Sequence, residues 1–566
     1  MTQKNVSNLA EEKIKAVKKK KEEILKLEPE EALNEILDFR ESLPLVHSFP
    51  EQSLYMLMHE CGYEDFLPVL AMASKKQWEY IIDQEIWDRD EIDIHKASYW
   101  LGVLHMADPA RLANWLLNDQ DEFLTYFLRN KIDVVIREHD EDPSVIPDDF
   151  RTFDDVIYFK VFENEESQKL PVDITSLVFD LFSRIADESY SMFQTLIFIS
   201  AGVINAEHAE NLYRLKNARL EEKGLLPLHE AIEVYAPVSP EDLPLRKEKF
   251  QDEQQSRFFV DKNGNIDSWS IIDIFSTENY FTDFEFAAEF VSLCNKVIVA
   301  DKQGVKTRED LGKVVKRVSG ILKAGAQLIG GFHESDTNKA LISNIFSKYY
   351  ITDVFRAGHS AIRGVRDKVL TWQRTSWMIK NSFNISFLGE TWMGITGGLL
   401  VWPPVYYDNF ETSDEIYRPF GCIDDIEKTN LEVEKIIALD DLLGLMNIKS
   451  IKVKDATLTW ENFLLTLWAR DWLHFDDTVL EPVKLEDFKK FFKWLWSEDG
   501  NKGIIGKDKK QDFLNWVVRT SEIDPDLMIK RLGTVFDQLF EAAESEFGDV
   551  DPKYLDPKFI NIFIVE

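Results

Sequence analysis

Four arginines, Arg356, Arg363, Arg366 and Arg374, are the residues of this 566-residue chain whose type and spacing most invite a ligand. They lie on the segment Val354 to Ile379, where Val354, Ala361, Val365, Trp372 and Ile379 share one face at about 100° per residue. Arg356, Arg363 and Arg374 fall together on the opposite face, with Arg366 flanking. Guanidinium forks match phosphate and carboxylate groups, so this face is the candidate anion-binding site. The surrounding region 301–380 holds fifteen Lys and Arg against seven Asp and Glu, a net of +8. With +8 taken from the formal charge of −35, the remainder carries −43. Such an acidic chain also supplies carboxylates of its own, and internal pairing is the simpler expectation for the arginines.

Other constellations carry weaker chemistry. Asp88, Asp90, Asp93 and His95 crowd together with oxygen ligands at near-alternate positions, but no loop glycine or distal bidentate glutamate completes a calcium geometry. Asp93 fits better as the N-cap of a helix carrying Ala97, Trp100, Leu101 and Leu104. His229 and Glu233 stand four apart, one histidine short of a zinc helix. Asp261, Asn263 and Asn265 imitate the start of a calcium loop, but Ile266 and Ile272 occupy its glycine and bidentate positions. Asn263-Gly264 instead suits a type I′ hairpin turn that places Phe258 opposite Trp269. No metal or cofactor is expected.

The chain contains no GxSxG elbow, Walker loop, GxGxxG turn, HExxH helix or kinase motif set. Catalytic triads assemble from distant residues, so an enzyme is not excluded, but no nucleophile or base can be named. The charge disfavours non-specific binding to nucleic acid and to anionic membranes. Cys61, Cys294 and Cys422 are widely separated, which suits a reducing compartment. The most apolar run, Phe193 to Ile204, is too short to span a bilayer. A cytoplasmic location is therefore expected.

Fifteen tryptophans and 45% hydrophobic residues indicate a globular chain. The predicted fold is mainly α, an array of stacked helical hairpins with minor antiparallel β elements. Residues 1–40 read as a charged helical leader, in which Lys18 to Lys21 are flanked by glutamates. Residues 41–137 read as the stacked-helix array. Ser74 with Gln77 forms a capping box, Asp108-Pro109 and Asp119 open two more helices, and Pro50 opens another. Trp78 and Trp115, four and seven residues after their start signals, are the expected knobs between helices. Residues 150–238 read as α with a short strand near 156–162, and residues 257–455 as mixed, with a hairpin near 257–271 and the basic helix. Gly389 to Pro404 holds too many glycines for a helix interior and reads as turns or a strand around Leu399 to Val401. Asp408 to Asn430 reads as loop. Residues 456–566 form a tryptophan-rich helical region whose apolar tail, Phe559 to Val565, pairs as a strand or docks.

Asn217-Ala218-Arg219-Leu220, Gly224 and His229 to Pro237 resemble a signature of an uncharacterised bacterial family, a domain of unknown function. Gly389-Glu390, Gly398-Leu399-Leu400, Pro404, Tyr406-Tyr407 and Tyr417 to Phe420 resemble its C-terminal half. This resemblance implies no activity. The helical array is also similar, more loosely, to the helical-hairpin stacks of magnesium-transporter cytoplasmic domains and flagellar switch proteins. The reading that follows is a helical scaffold or adaptor presenting a protein-binding surface. The alternative is an enzyme or small-molecule sensor with an anion pocket around the 356–374 arginines.

Overall fold

The computed structural model describes residues 3–88, 90–137, 145–162, 170–202, 205–246, 284–302, 304–337, 339–446, 448–453, 458–496 and 503–566. The expected hairpin at 257–271 and its Asp261 to Asn265 segment lie outside these residues. The fold is mainly α, with a few short strands. The chain divides into two compact units. The first comprises Met1–Ala236 and Arg246–Val318, the second Pro237–Leu245 and Ser319–Glu566.

Short helices in sequence build the first unit, among them Glu51–Cys61, Tyr63–Met72, Lys75–Glu85, Ile94–Ala107, Pro109–Asn118 and Asp121–Lys131. Their starts follow local chemistry. Ser74 and Gln77 exchange both bonds of a capping box, Asp93 accepts from the His95 and Lys96 amides, and Asp108 accepts from the Arg111 amide ahead of Pro109. No helix of this length buries its apolar stripe alone, so the helices share one core. Trp78 and Trp115 meet edge to face in it, with centroids 5.7 Å apart, and both are fully buried. The Trp78 indole donates to the Leu70 carbonyl, and the Arg111 guanidinium lies 4.3 Å from the Trp78 ring centroid.

The expected strand is present as Ile157–Val161, at the centre of a three-stranded antiparallel sheet. Its longer neighbour, Ile132–Ile136, takes the end of what the sequence assigns to the helical array. Helix passes into strand at Ile132 without a turn residue, because Ile132, Val134, Val135 and Ile136 are β-branched and find a paired edge. Three further helices follow, Ile174–Glu188, Tyr190–Gly202 and Asn205–Glu221. Gly224, at φ +79°, ends the last of these, and the Leu225 amide returns to the Leu220 carbonyl.

In the second unit the long arginine helix is Ile351–Thr375, shorter than the sequence indicates. Asp440 accepts from the Ser376 hydroxyl and from the Trp377 and Met378 amides, which stops the helix and starts a short turn at Trp377–Lys380. Ile379 is consequently exposed instead of continuing the apolar face. Gly389 to Pro404 corrects the sequence reading outright, because Gly389–Leu400 is a helix. A Cβ on Gly394 would lie 2.3 Å from the Tyr407 ring, and one on Gly398 would lie 2.7 Å from the Val405 carbonyl oxygen. The glycines are there for close approach, at a helix-propensity cost of about 1 kcal/mol each. Ile423–Leu445 is likewise a helix where loop was expected up to Asn430. The tryptophan-rich region is helical as expected. Trp468 is buried against Phe491, Phe513 and Trp494, and Val565 bridges Val483 as the tail docks.

Trp115→Ala should lower stability by about 3–5 kcal/mol, as for other buried aromatic deletions. Chemical denaturation checks this, and a midpoint close to the parent's would show that the Trp78–Trp115 contact is not core.

Candidate functional site

The first unit contains a cleft of about 450 Å³ built by helices and one loop. The Asn205–Glu221 helix contributes Tyr213, Lys216, Asn217 and Leu220, which are spaced i, i+3, i+4 and i+7 and so share one face. The Lys75–Glu85 helix contributes Tyr80, Asp83, Gln84 and Glu85. Trp87, Ile298, Val299 and the Gly304–Lys306 segment close the remaining sides.

Two acids of this cleft, Asp83 and Glu85, are engaged from within the unit. Arg219 grips Asp83 with a bidentate fork, Nε and Nη2 each 2.7 Å from a carboxylate oxygen. Glu85 accepts from the Tyr55 hydroxyl at 2.5 Å, from Lys306 Nζ at 2.8 Å, and lies 2.8 Å from His59 Nε2. Burial opposes ionisation of Glu85, but these three partners outweigh it and hold the carboxyl at about 2. Lys216 is in a different position. Lys216 is half-buried, and its Nζ sits 4.6 Å from the centroid of the Trp87 ring. Among the described residues no carboxylate pairs with it. Burial pushes its ammonium down to about 8, Asp83 resisting and Arg219 assisting. Lys302, Lys306 and Lys96 line the same cleft. An amine in this setting can attract an anion or, once deprotonated, act as a nucleophile.

The four predicted arginines are placed elsewhere and do not converge. Arg356 pairs with Asp353 at 3.0 Å, and Arg363 with Asp367 at 3.5 Å, each within the same helix. Arg366 donates to the Leu399 carbonyl at 3.1 Å, its guanidinium 5.7 Å from the Trp402 ring centroid. Arg374 is exposed near the end of the helix. None of the four lines the lysine cleft or the cleft of the second unit.

That second cleft, of about 490 Å³, is walled by the stacked indoles of Trp392 and Trp460, 5.2 Å apart, with Tyr406, Tyr407, Glu390, Glu432 and Glu461. Trp392 Nε1 donates to Glu432 at 2.8 Å, and burial pushes the Glu461 carboxyl up. Sequence reasoning also missed His333, Asp424 and Glu427. Their ligand atoms all lie within 4.8 Å of one another, largely exposed, and a cation held there would stand at the N-terminal turn of Ile423–Leu445, where the helix dipole opposes it. His229 lies on the short Leu228–Ala231 turn, exposed and 3.8 Å from Glu230.

The lysine cleft left one signal in the sequence. The i, i+3, i+4, i+7 face of the Asn205–Glu221 helix runs through Asn217 to Leu220, the stretch that carries the family resemblance. Its opposing wall is more than a hundred residues away in the chain, so spacing alone cannot supply it.

Glu85 gives a pH test of this network. Its carboxyl is held below the ordinary 4.5, so its contribution is fully present above about pH 4.5 and lost as pH falls toward about 2. The stabilisation is on the order of 3 kcal/mol. Glu85→Gln should remove that acid-range slope from denaturation curves taken between pH 5 and pH 2. A slope equal to the parent's would place the acid sensitivity elsewhere.

Among the described residues no helix is long and apolar enough to cross a membrane. No curated protein matches the chain. No solved structure matches it either, so the likeness of its helical array to magnesium-transporter and flagellar switch domains is not shown. The match that does exist spans nearly everything, clefts included: residues 10–566 fit one family model, and the chain belongs to the family of unknown function DUF6178.

Proposed function

We propose that this protein binds a small anionic molecule in the lysine cleft of its first unit. One observation carries the reading. Lys216 is half-buried and, among the described residues, ion-paired to no carboxylate, while the nearby Asp83 and Glu85 are held by Arg219, Lys306 and His59. A partly desolvated ammonium whose neighbouring carboxylates are committed elsewhere gains from an anion, and an anion that binds only the folded state stabilises it. This keeps the sensor or enzyme alternative that sequence suggested and moves its site from the 356–374 arginines to Lys216. Addition of phosphate, citrate or a small dicarboxylate should raise the melting temperature of the parent protein. Lys216→Met should remove that rise, and the combined change of Arg356, Arg363 and Arg374 to Gln should keep it. A rise that survives Lys216→Met and vanishes in the arginine variant would return the site to the arginine helix.

A second reading, the scaffold or adaptor, is favoured by a separate feature. Helix Tyr190–Gly202 presents Met192 and Ile199 one above the other, 43% and 52% accessible, with Phe198 exposed to one side at 48%, while Phe193 and Ile197 are buried beneath. Exposed apolar side chains on a helix suit a protein partner. A photo-crosslinker placed at Phe198 in cells should capture a discrete protein that one at Arg214 does not. Equal capture at both positions would remove the case for this face. A cytoplasmic location belongs to the same proposal and rests on three widely spaced thiols.

A further inference from the structure

The chemistry around Lys216 narrows the ligand further, and this step rests on the anion-cleft reading above. We propose that the cleft takes an anionic carbonyl compound, an aldehyde or ketone bearing a carboxylate or phosphate, and holds it as an imine on Lys216 Nζ.

Three features of the geometry converge on this class. The amine is not tied up in an ion pair. It lies over an indole face in a cavity of about 450 Å³, and no described carboxylate lies within ion-pair distance of it. One side of the cleft is apolar, lined by Trp87, Leu220, Leu225, Ile298 and Val299. An imine survives longest where water is kept from it. The same cavity also carries Lys302, exposed beside the Gly304–Lys306 segment, as a second cation for the ligand's anionic group. The charged groups around Lys216 include Asp83, Glu85, Asp88, Lys96, Arg219, Lys302 and Lys306, and Asp83 and Glu85 are already paired with Arg219 and Lys306. Volume is ample, because a two- to four-carbon oxo acid occupies only part of such a cavity.

The reaction balances without an added redox partner. The lone pair of neutral Nζ attacks the carbonyl carbon, the C–O π pair moves to oxygen, and a proton transfer gives the carbinolamine. Loss of that oxygen as water, with the nitrogen proton passing to solvent, leaves the C=N bond. One water is released, and nothing is oxidised or reduced. The lowered ammonium pKa supports the first step. At about 8, roughly a fifth of the amine is neutral at pH 7.4, against about a thousandth for an ordinary surface lysine.

The test uses the full-length protein with pyruvate or glyoxylate as probe and cyanoborohydride to reduce any imine to a stable secondary amine. Peptide mass mapping should find the adduct at Lys216, roughly tenfold or more above that at a surface lysine such as Lys26. Labelling should rise with pH through about 8. Lys216→Arg keeps a cation over Trp87 but cannot form the adduct, so it should fold as the parent does and lose the label. Malonate, an anion without a reactive carbonyl, separates the two levels of the argument by its effect on melting temperature. If malonate stabilises the parent and not Lys216→Met, while reduction labels surface lysines evenly, the imine proposal is overturned and the anion cleft stands. If malonate has no effect and no label gathers at Lys216, both are overturned.

Discussion

The ion pair between Arg219 and Asp83 joins two helices 136 residues apart, and much of the first unit's chemistry depends on it. Asp83 is 5% exposed, and a carboxylate so buried is destabilising unless a cation and hydrogen bonds match it. Two residues of the Asn205–Glu221 helix stand near enough to do so. Arg219 wins because its planar fork reaches both oxygens at once, whereas an ammonium is a point charge. Lys216, one turn earlier, is left over the Trp87 ring. Glu85 is closed off in the same way by Tyr55, His59 and Lys306. Lys216 is thus left out of the ion pairs because stronger partners have already taken Asp83 and Glu85.

Where structure depends on neighbours within four residues, the sequence could be read. The capping box at Ser74, the caps at Asp93 and Asp108, and the glycine end at Gly224 all involve side chains and amides a turn apart. These contacts form in the chain before any tertiary packing, so their signals are local and additive. The buried Trp78–Trp115 pair was accessible for a related reason, since both rings follow from helix phase counted from a start signal. Strand Ile132–Ile136 was not accessible. Its residues continue a helix without interruption, and only pairing with Ile157–Val161 decides for strand.

The site was legible in part, and the arginines show why. A charge stripe is easy to see in a sequence because it needs only one helix. Whether it serves a ligand depends on what approaches it. Asp353 and Asp367, three and four residues from Arg356 and Arg363, are placed to pair with them along the helix itself. Desolvation, which acts on Lys216 as it does on Lys131, has no sequence signature because it is a property of the walls brought against a residue. Tyr213, Lys216, Asn217 and Leu220 share one helical face by their spacing, which the sequence reading did not single out. That the face looks onto Tyr80, Asp83 and Lys306 cannot be read from spacing.

Glycine illustrates the same limit in the second unit. Counted as a breaker, it predicts turns between Gly389 and Pro404, and the chain forms a helix there. At Gly325 and Gly358 two helices cross so closely that a Cβ on either would meet the other's backbone oxygen, at 2.0 Å from Val354 and 2.2 Å from Ile321. Such glycines lower local helix propensity by about 1 kcal/mol each and are retained because no other residue lets two backbones meet. The local loss and the tertiary gain have opposite signs, and a sequence displays only the first. Gly325 and Gly358 therefore mark where two helices touch, whereas Gly364, on the same helix as Gly358, has open space around it. The arginine stripe thus lies on a helix fixed at Gly358, and its pairs with Asp353 and Asp367 are contacts within one rigid element.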